Sequence, residues 1–229
     1  MIKYWILIAL FLVGLLLSAI NPHDYFTWFL EVLPAILGLL VLIFTYPRFK
    51  LSYFTYVMIL IHCYILFVGG HYTYAEVPLF EWIKDVFHQS RNNYDKVGHF
   101  AQGFVPAIIV RELFIRKEVV RPGNWLPFLT VCVTLSISVV YEFIEWFVAV
   151  MSGESAESFL GTQGYVWDTQ SDMLYAMIGA ISMVVFVSKL HDKKIENLII
   201  TKDGLDGSLD SKSIENKINE WKNNRESNY

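Results

Sequence analysis

The chain has 229 residues, of which 55% are hydrophobic and only 17% are charged, and its mean hydropathy is +0.42. Soluble domains are about 45–50% apolar and about 25% charged, so this composition excludes most water-soluble enzymes. The net charge of −4, from 18 Lys and Arg against 22 Asp and Glu, leaves no basic excess to bind a nucleic acid backbone. We therefore expect a membrane protein that binds no nucleic acid.

Six apolar stretches follow one another along the chain, each near the roughly 20 residues that a helix needs to cross a bilayer core. The first is longer than the apolar region of about 7–15 residues in a signal peptide, so an uncleaved helix is the favoured interpretation. We predict an all-α fold, a six-span transmembrane bundle over residues 1–190. The predicted spans are 4–20, 29–45, 53–69, 97–113, 126–150 and 173–190.

Two segments are predicted to lie outside the bilayer. In the third connection, apolar side chains repeat at helical spacing with charged residues between them. This pattern indicates either a short helix in the membrane interface or a lid packed over the bundle. Beyond residue 190 the chain becomes polar, which predicts a cytoplasmic tail over 191–229 with no second folded domain. The repeating side chains are Leu79, Ile83, Val86 and Phe87.

The short loops differ in their content of Lys and Arg, which sets the orientation of a membrane protein. Basic residues lie between spans two and three, between spans four and five, and after span six. The loops 21–28 and 151–171 contain none. Because cytoplasmic loops are the ones enriched in Lys and Arg, we predict that both termini are cytoplasmic.

Ionisable residues are concentrated at four span ends. Placing an ionisable side chain inside a bilayer costs a few kcal/mol of free energy, so each such residue indicates a structural or functional role. Consecutive spans run in opposite directions, so these four ends must lie at the same membrane face, predicted to be the outer one. The residues are His71 at the end of span three, Asp95 and His99 at the start of span four, Glu142 and Glu145 late in span five, and Asp168 and Asp172 at the start of span six.

The spacing within these groups favours a site. Residues three or four apart share one face of a helix, as in each of these pairs. Carboxylates and imidazoles converging from several helices are plausible ligands for a divalent metal and equally form acid/base pairs. We assign the candidate metal ligands as His71, Asp95, His99 and Asp172, and the candidate catalytic groups as Glu142, Glu145 and Asp168.

A structural role explains each of these residues equally well when it is taken alone. Asp95 and Asp172 are placed to cap the starts of spans four and six, and any of the acids could pair with Lys96. One cap or one ion pair does not explain seven such groups at one depth, and few Lys or Arg are available there to neutralise them.

Three motifs resemble a known family. Tyr94-Asp95-Lys96-Val97-Gly98-His99-Phe100, Tyr141-Glu142-Phe143-Ile144-Glu145-Trp146 and Trp167-Asp168-Thr169-Gln170-Ser171-Asp172-Met173 closely resemble those of the YjdF family of bacterial inner-membrane proteins. The resemblance extends over about residues 4–190. It implies a six-span architecture in the inner membrane and no particular activity.

A more distant resemblance is to the VanZ-like membrane proteins. Residues Asp95 to Phe100 match their pattern Asp-Lys-x-x-His-Phe. Glu142 matches the first residue of their pattern Glu-x-x-Gln. Asp172 and Gly179 match the first and last residues of their pattern Asp-x-x-x-Asn-x-x-Gly. Glu145 and Ala176 stand where that pattern has Gln and Asn. This resemblance implies a ligand in the outer leaflet or among cell-wall precursors.

The resulting hypothesis is an integral membrane protein with a polar, metal-binding site at the outer face. Its partners would be the lipid bilayer and an amphipathic lipid-linked or envelope substrate, on which it would act as a metal-dependent hydrolase or transferase. The alternative is a non-catalytic ligand-binding protein or a proton- or ion-coupled transporter that uses the same acids. A purely structural role is the third possibility.

Overall fold

The computed structural model describes residues 2–121, 123–152 and 162–200, and the isolated positions 216 and 219. All regular secondary structure in these residues is helical, as predicted. The elements are α1 (Ile2–Ser18), α2 (Tyr25–Thr45), α3 (Tyr53–Tyr72), α4 (Pro78–Val86), α5 (Tyr94–Arg116), α6 (Trp125–Ser152), α7 (Asp168–Ser182), a π-helical segment (Met183–Val187) and α8 (Ser188–Ile200).

Four of the helices are long and apolar enough to cross a membrane. They are α2, α3, α6 and the continuous helix formed by α7, the π-helical segment and α8. Helix α1 is apolar but has only 17 residues. Helix α5 has 23 residues, but its charged ends lower its hydropathy. The predicted count of six spans is therefore not confirmed by length and hydropathy alone.

Helix starts reflect local capping. Helix α2 begins four residues before the predicted boundary, because the Asp24 side chain accepts a hydrogen bond from the Thr27 backbone N–H at 2.6 Å. This bond lowers the pKa of Asp24, which lies outside the helix. Helix α3 is capped in the same way by Ser52, which accepts from the Thr55 N–H at 3.3 Å. Polar residues thus mark where the two apolar helices begin.

Helix α5 occupies the centre of the molecule, where it packs against α3, α6 and α7. Its closest approach is to α7, through two glycines. A Cβ atom at Gly103 would overlap the Ala176 carbonyl oxygen, and one at Gly179 would overlap the Phe100 carbonyl oxygen. Only hydrogen side chains permit backbones to approach this closely, as at small-residue crossings of membrane helices. The small residues therefore hold the middle of α5 close against α7, so that the starts of the two helices lie side by side.

A single tyrosine connects the end of α3 to the start of α5. The left-handed conformation of Thr73, with φ of 57°, ends α3 and turns the chain back so that Tyr74 lies over Gly69. A Cβ atom built on Gly98 would lie 2.8 Å from the same ring. Tyr74 is buried between the two helices and fixes their separation.

The third connection contains the expected short helix, α4, which begins with Pro78 at its first turn. Large apolar side chains on it face away from the protein. Leu79, Trp82, Val86 and Phe87 are 61%, 61%, 49% and 67% exposed. Because a lid would bury this face against the bundle, the arrangement favours contact with the surroundings.

The last helix continues beyond residue 190, the predicted end of the transmembrane domain, as far as Ile200. Ile195 and Leu198 on α8 are buried, and Ile195 packs with Ile115 of α5 and Leu126 of α6. Most of the predicted tail over 191–229 lies outside the described residues.

Candidate functional site

Three helices bring the predicted polar residues together at one end of the bundle. Asp95 and His99 come from α5, Glu142 from α6, and Asp168 and Asp172 from α7, and all five are buried. The glycine contacts between α5 and α7 place Asp95 and His99 opposite Asp168 and Asp172. We call these five residues, with Lys96, the Asp95 cluster.

Lys96 is the cation at the centre of the Asp95 cluster. Its Nζ lies 2.5 Å from Asp172 Oδ1, 2.7 Å from Asp168 Oδ1 and 3.2 Å from Asp95 Oδ2. One ammonium group thereby ties the start of α5 to the start of α7. Because the lysine side chain is only 8% exposed, removing it would leave uncompensated buried charges, which destabilises a protein more than breaking a surface ion pair does.

Arg91, in the loop before α5, supplies a second cation. Its Nη1 donates to Asp168 Oδ1 at 2.5 Å, and its Nη2 lies 3.4 Å from Asp95 Oδ2. The Tyr165 ring lies near both cations, with its centroid 5.6 Å from the Arg91 guanidinium carbon and 6.0 Å from Lys96 Nζ. Lys96 and Arg91 thus contact three carboxylates, and His99 contacts the fourth, Glu142. The four carboxylates exceed the cations of the cluster even when His99 is protonated.

His99 lies among three acids. Its Nε2 is 3.2 Å from Asp95 Oδ1 and 3.8 Å from Asp172 Oδ1, while its Nδ1 is 3.7 Å from Glu142 Oε1. Gln102 Oε1 lies 2.8 Å from Nδ1. With Nδ1 donating to Gln102 Oε1, Nε2 is the ring nitrogen that would bind a metal ion placed between the two aspartates. In the absence of an ion, a proton on Nε2 would be donated to Asp95.

Three of the four predicted metal ligands form one compact group. One ligand atom each from Asp95, His99 and Asp172 lies within 4.8 Å of the others, close enough for a single ion to contact all three. His71 does not join them. Its Nδ1 donates instead to the Ser18 carbonyl oxygen at 3.0 Å, so that it joins the ends of α3 and α1.

The predicted catalytic acids have different environments. Glu142 is 5% exposed, and its Oε1 has no hydrogen-bond partner among the described residues. Asp168 Oδ1 accepts from both cations, whereas its buried Oδ2 has no such partner in the same part of the chain. Glu145 is half-buried one turn beyond Glu142 and forms no ion pair with a described residue. Two buried oxygens at the cluster are thus available to a ligand.

The capping roles considered for Asp95 and Asp172 are wrong. Helix α5 begins at Tyr94 and α7 at Asp168, so Asp95 lies in the first turn and Asp172 in the second. The backbone N–H of Tyr94 is instead satisfied by Asn92 Oδ1 at 3.1 Å. Both aspartates direct their carboxylates at Lys96 and His99, which a cap could not do.

Arg91 and Glu31 also lie at this site, although the sequence patterns did not identify them. Arg91 lies in the loop before the predicted fourth span, and its position four residues before Asp95 was a usable signal. Glu31 lies in α2, is 5% exposed, and is within electrostatic range of Asp95 and His99. A lone acid in the predicted second span was a direct signal that we did not use.

A second charged cluster lies at the opposite end of α5 and was also missed. Glu112, fully buried, accepts hydrogen bonds from the Ser52 backbone N–H at 2.6 Å and from Thr55 Oγ1 at 2.5 Å. His191 Nε2 lies 3.2 Å from Glu112, and Arg111 pairs with Asp192 at 2.6 Å. This network satisfies its own charges and joins α3, α5 and α8, so its role is structural.

The chain matches known proteins over most of its helical region. Residues 3–193 match the family described as "Predicted membrane protein (DUF2238)". The chain is 45% identical over 181 residues to the inner membrane protein YjdF of Escherichia coli (strain K12), which covers 79% of this chain and 87% of that protein. No solved structure matches. The VanZ-like resemblance finds no support in these matches and stays a prediction.

Proposed function

This chain belongs to the DUF2238 family of predicted membrane proteins, and from that premise we propose that it crosses the bacterial inner membrane six times with both termini in the cytoplasm. The two crossings beyond the four apolar ones are α1 and α5. At 1.5 Å per residue they are about 25 Å and 35 Å long, close to the thickness of a bilayer core of about 30 Å.

The charged residues of α5 are compatible with a helix that crosses the membrane, because they lie at its two ends. The Asp95 cluster and the Glu112 network occupy its two ends, and the middle is apolar and buried, with Ala107 and Ile108 fully enclosed. A helix surrounded by other helices does not expose its ionisable groups to lipid. The basic loops lie at the Glu112 end, which supports placing the Asp95 cluster near the outer face.

Helix α4 supports the same placement. Its exposed apolar side chains suit the bilayer interface, with Lys84 and Asp85 on the polar side. Asn92, which adjoins the Asp95 cluster, ties this helix to the site by donating to the Val77 carbonyl oxygen at 3.2 Å and to Glu81 Oε1 at 2.9 Å. The site would then adjoin a surface at the level of lipid headgroups.

For the activity, we propose that Asp95, His99 and Asp172 bind a divalent metal ion. The observation that carries this proposal is the compact ligand group, in a cluster that has more carboxylates than cations and two buried oxygens without a hydrogen-bond partner among the described residues. Buried negative charge of this kind requires a proton or a cation to neutralise it. Two carboxylates and one imidazole favour Mn²⁺ or Mg²⁺ over metals that prefer thiolate.

The proposed chemistry is hydrolysis or group transfer on an amphipathic, lipid-linked or envelope substrate. A divalent ion in this position supplies a more acidic water and neutralises developing negative charge. Glu142 would accept the proton, because its Oε1 lies 3.7 Å from His99 Nδ1 and has no hydrogen-bond partner in the described part of the chain. Asp168 would position Arg91 and Lys96, and Glu145, half-buried one turn away, would pass the proton toward solvent.

A second candidate is a proton- or ion-coupled role for the same acids. Thr130, Thr134 and Ser138 are fully buried and continue from Glu142 along one face of α6. The hydroxyls of Thr134 and Ser138 have no hydrogen-bond partner among the described residues, so they could hold water molecules that relay protons. An apolar layer that includes Ile108 and Met183 separates the Asp95 cluster from the Glu112 network. This layer argues against a complete path for protons or ions across the membrane.

The experiment uses Glu142→Gln in proteoliposomes loaded with Mn²⁺ and a bacterial envelope lipid extract, followed by mass spectrometry of the lipids. For the hydrolase or transferase we expect one lipid-linked species to be consumed by the wild type and about 10²–10⁴-fold more slowly by the variant, the usual contribution of a general base. The matched control is Glu76→Gln, which changes an exposed acid just after α3, at the same end of the bundle as the Asp95 cluster. This variant should behave as wild type.

Two outcomes would contradict the proposed chemistry. One is an unchanged lipid profile with all three proteins. The other is proton or ion flux that is lost in Glu142→Gln without any lipid being consumed, which would favour the relay.

A further inference from the structure

A cavity of about 570 Å³ lies between α1, α2, α3 and α5. Its volume falls within the range of about 300–1,000 Å³ that is typical of small-molecule sites. Most of its lining is apolar, as represented by Ile8, Phe11, Leu39, Leu60 and Leu66. A polar ligand would find few hydrogen-bonding partners among these residues, whereas a molecule that is largely hydrocarbon would fit.

The helices separate here for reasons present in the sequence. Pro34 in α2 and Pro106 in α5 both line the cavity, and each lacks the N–H that would bond to the preceding turn of its helix. Gly38 of α2 also lines it, and a Cβ atom built there would have no neighbour within 4 Å. Two prolines and one glycine thus leave room that bulkier side chains would fill.

The cavity opens between α1 and α2. Both of these helices pack against α3. Trp5 of α1 and Ile43 of α2 line the cavity and are also exposed at the protein surface. Because this apolar surface faces lipid in a membrane protein, a ligand dissolved in the bilayer can enter the cavity directly, without first crossing water.

An imidazole, that of His62, lies at the wall of this apolar cavity. His62 is the tenth of the 20 residues of α3, which places it about halfway along a helix that crosses the membrane. Its ring nitrogens form no hydrogen bond or ion pair with the residues that the structure describes. In its uncharged form the ring offers one N–H donor and one lone pair. A donor without an acceptor in apolar surroundings costs free energy, which favours a ligand with an acceptor oxygen at this depth.

We propose that this cavity binds an isoprenoid quinone. One ring carbonyl oxygen accepts a hydrogen bond from His62, and the isoprenoid chain follows the apolar lining to the opening between α1 and α2. This site shares no residue with the Asp95 cluster and does not depend on the proposed chemistry.

The depth of His62 selects this occupant over a phospholipid. A charged or zwitterionic head group stays at the membrane interface, because burying its charge halfway across is too costly, and the ester carbonyls stay beside it. A quinone ring is uncharged, carries acceptor oxygens, and has flat faces that pack well against aromatic side chains. Phe11, Tyr46 and Tyr56 are among the aromatic residues that line the cavity.

The test is native mass spectrometry of the full chain, released from micelles that contain a naphthoquinone with two isoprene units. The comparison probe is the naphthalene hydrocarbon with the same chain, which keeps the shape of the ring but has no carbonyl oxygen. We expect the wild type to retain one quinone and to prefer it to the hydrocarbon by about three- to tenfold, the contribution of one hydrogen bond. His62→Leu should retain both probes equally, because leucine keeps the wall apolar and removes the donor.

A second variant tests the cavity itself. Gly38→Phe fills the space between the helices and should reduce retention of both probes about tenfold or more. Phosphatidylglycerol and a prenol with the same two isoprene units are offered in the same micelles, and the wild type should retain both less than the quinone.

Matched controls separate these effects from general damage. Leu40→Phe changes an exposed position on the same helix as Gly38, and His23→Leu removes an exposed imidazole from the loop before α2. Both should retain the quinone as the wild type does. Equal retention by Gly38→Phe and Leu40→Phe, a His62→Leu variant that still prefers the quinone to the hydrocarbon, or no retained quinone would each overturn the proposal. Stronger retention of the phospholipid or of the prenol would identify a different occupant and overturn it as well.

Discussion

Gly103→Val is expected to prevent the protein from folding to a stable, monodisperse form. The added Cβ atom would overlap the Ala176 carbonyl oxygen, which belongs to the backbone of α7 and cannot rotate away as a side chain could. Separating α5 from α7 would also pull Asp95 and His99 away from Asp172. We expect a loss of more than about 4–5 kcal/mol in the free energy of unfolding, the range reached only by severe packing defects.

The matched control for this change is Gly38→Val, which places the same side chain on a membrane helix where nothing lies within 4 Å. Size-exclusion profiles and thermal unfolding in detergent would be compared for the two variants. Gly179→Val should behave as Gly103→Val does, since its Cβ would overlap the Phe100 carbonyl oxygen. If Gly103→Val were as stable as Gly38→Val, the close crossing of α5 and α7 would be wrong.

Lys96→Met is the second change with a large expected effect. It keeps most of the side-chain volume but removes the cation from between three buried carboxylates, which then repel one another. Removing one partner of a buried ion pair typically destabilises a protein by about 3–5 kcal/mol, and we expect a loss of that size here. Chemical denaturation in micelles would measure it, with Lys84→Met on α4 as the control that should change little.

Added Mn²⁺ should recover part of the stability that Lys96→Met loses, because a divalent ion at Asp95 and Asp172 would replace the missing positive charge. Equal stability of Lys96→Met and Lys84→Met would show that Lys96 does not hold the cluster together.

Much of the fold follows from the sequence, because the length of an apolar stretch and the charged residues at its ends are local properties. The residues that join α5 to α6 and α7 were identified from their depth in the membrane, since consecutive helices alternate in direction, and from their helical spacing. Depth does not define which way a residue faces around its helix. His71 illustrates this, because it has the predicted depth but faces α1, where it bonds to the Ser18 carbonyl oxygen.

The parts that could not be predicted depend on contacts between distant segments. His191 and Asp192 were assigned to a polar tail because the chain becomes polar beyond residue 190, yet both are buried against α5. Their burial depends on the helix continuing past residue 190 and on partners about 80 residues away, neither of which is visible in local composition. Arg91 was overlooked for the same reason, since Asp168 is its partner only in the folded protein.

Elemental analysis of the purified protein tests the central proposal most directly, after dialysis against Mn²⁺ and removal of unbound metal. The proteins compared are the wild type, His99→Ala, and His23→Ala, which removes an exposed imidazole near the end of α3. The proposed site predicts close to one divalent ion per chain in the wild type and His23→Ala, and almost none in His99→Ala. A wild type that retains no metal, or a His99→Ala variant that retains as much as the wild type, would contradict it.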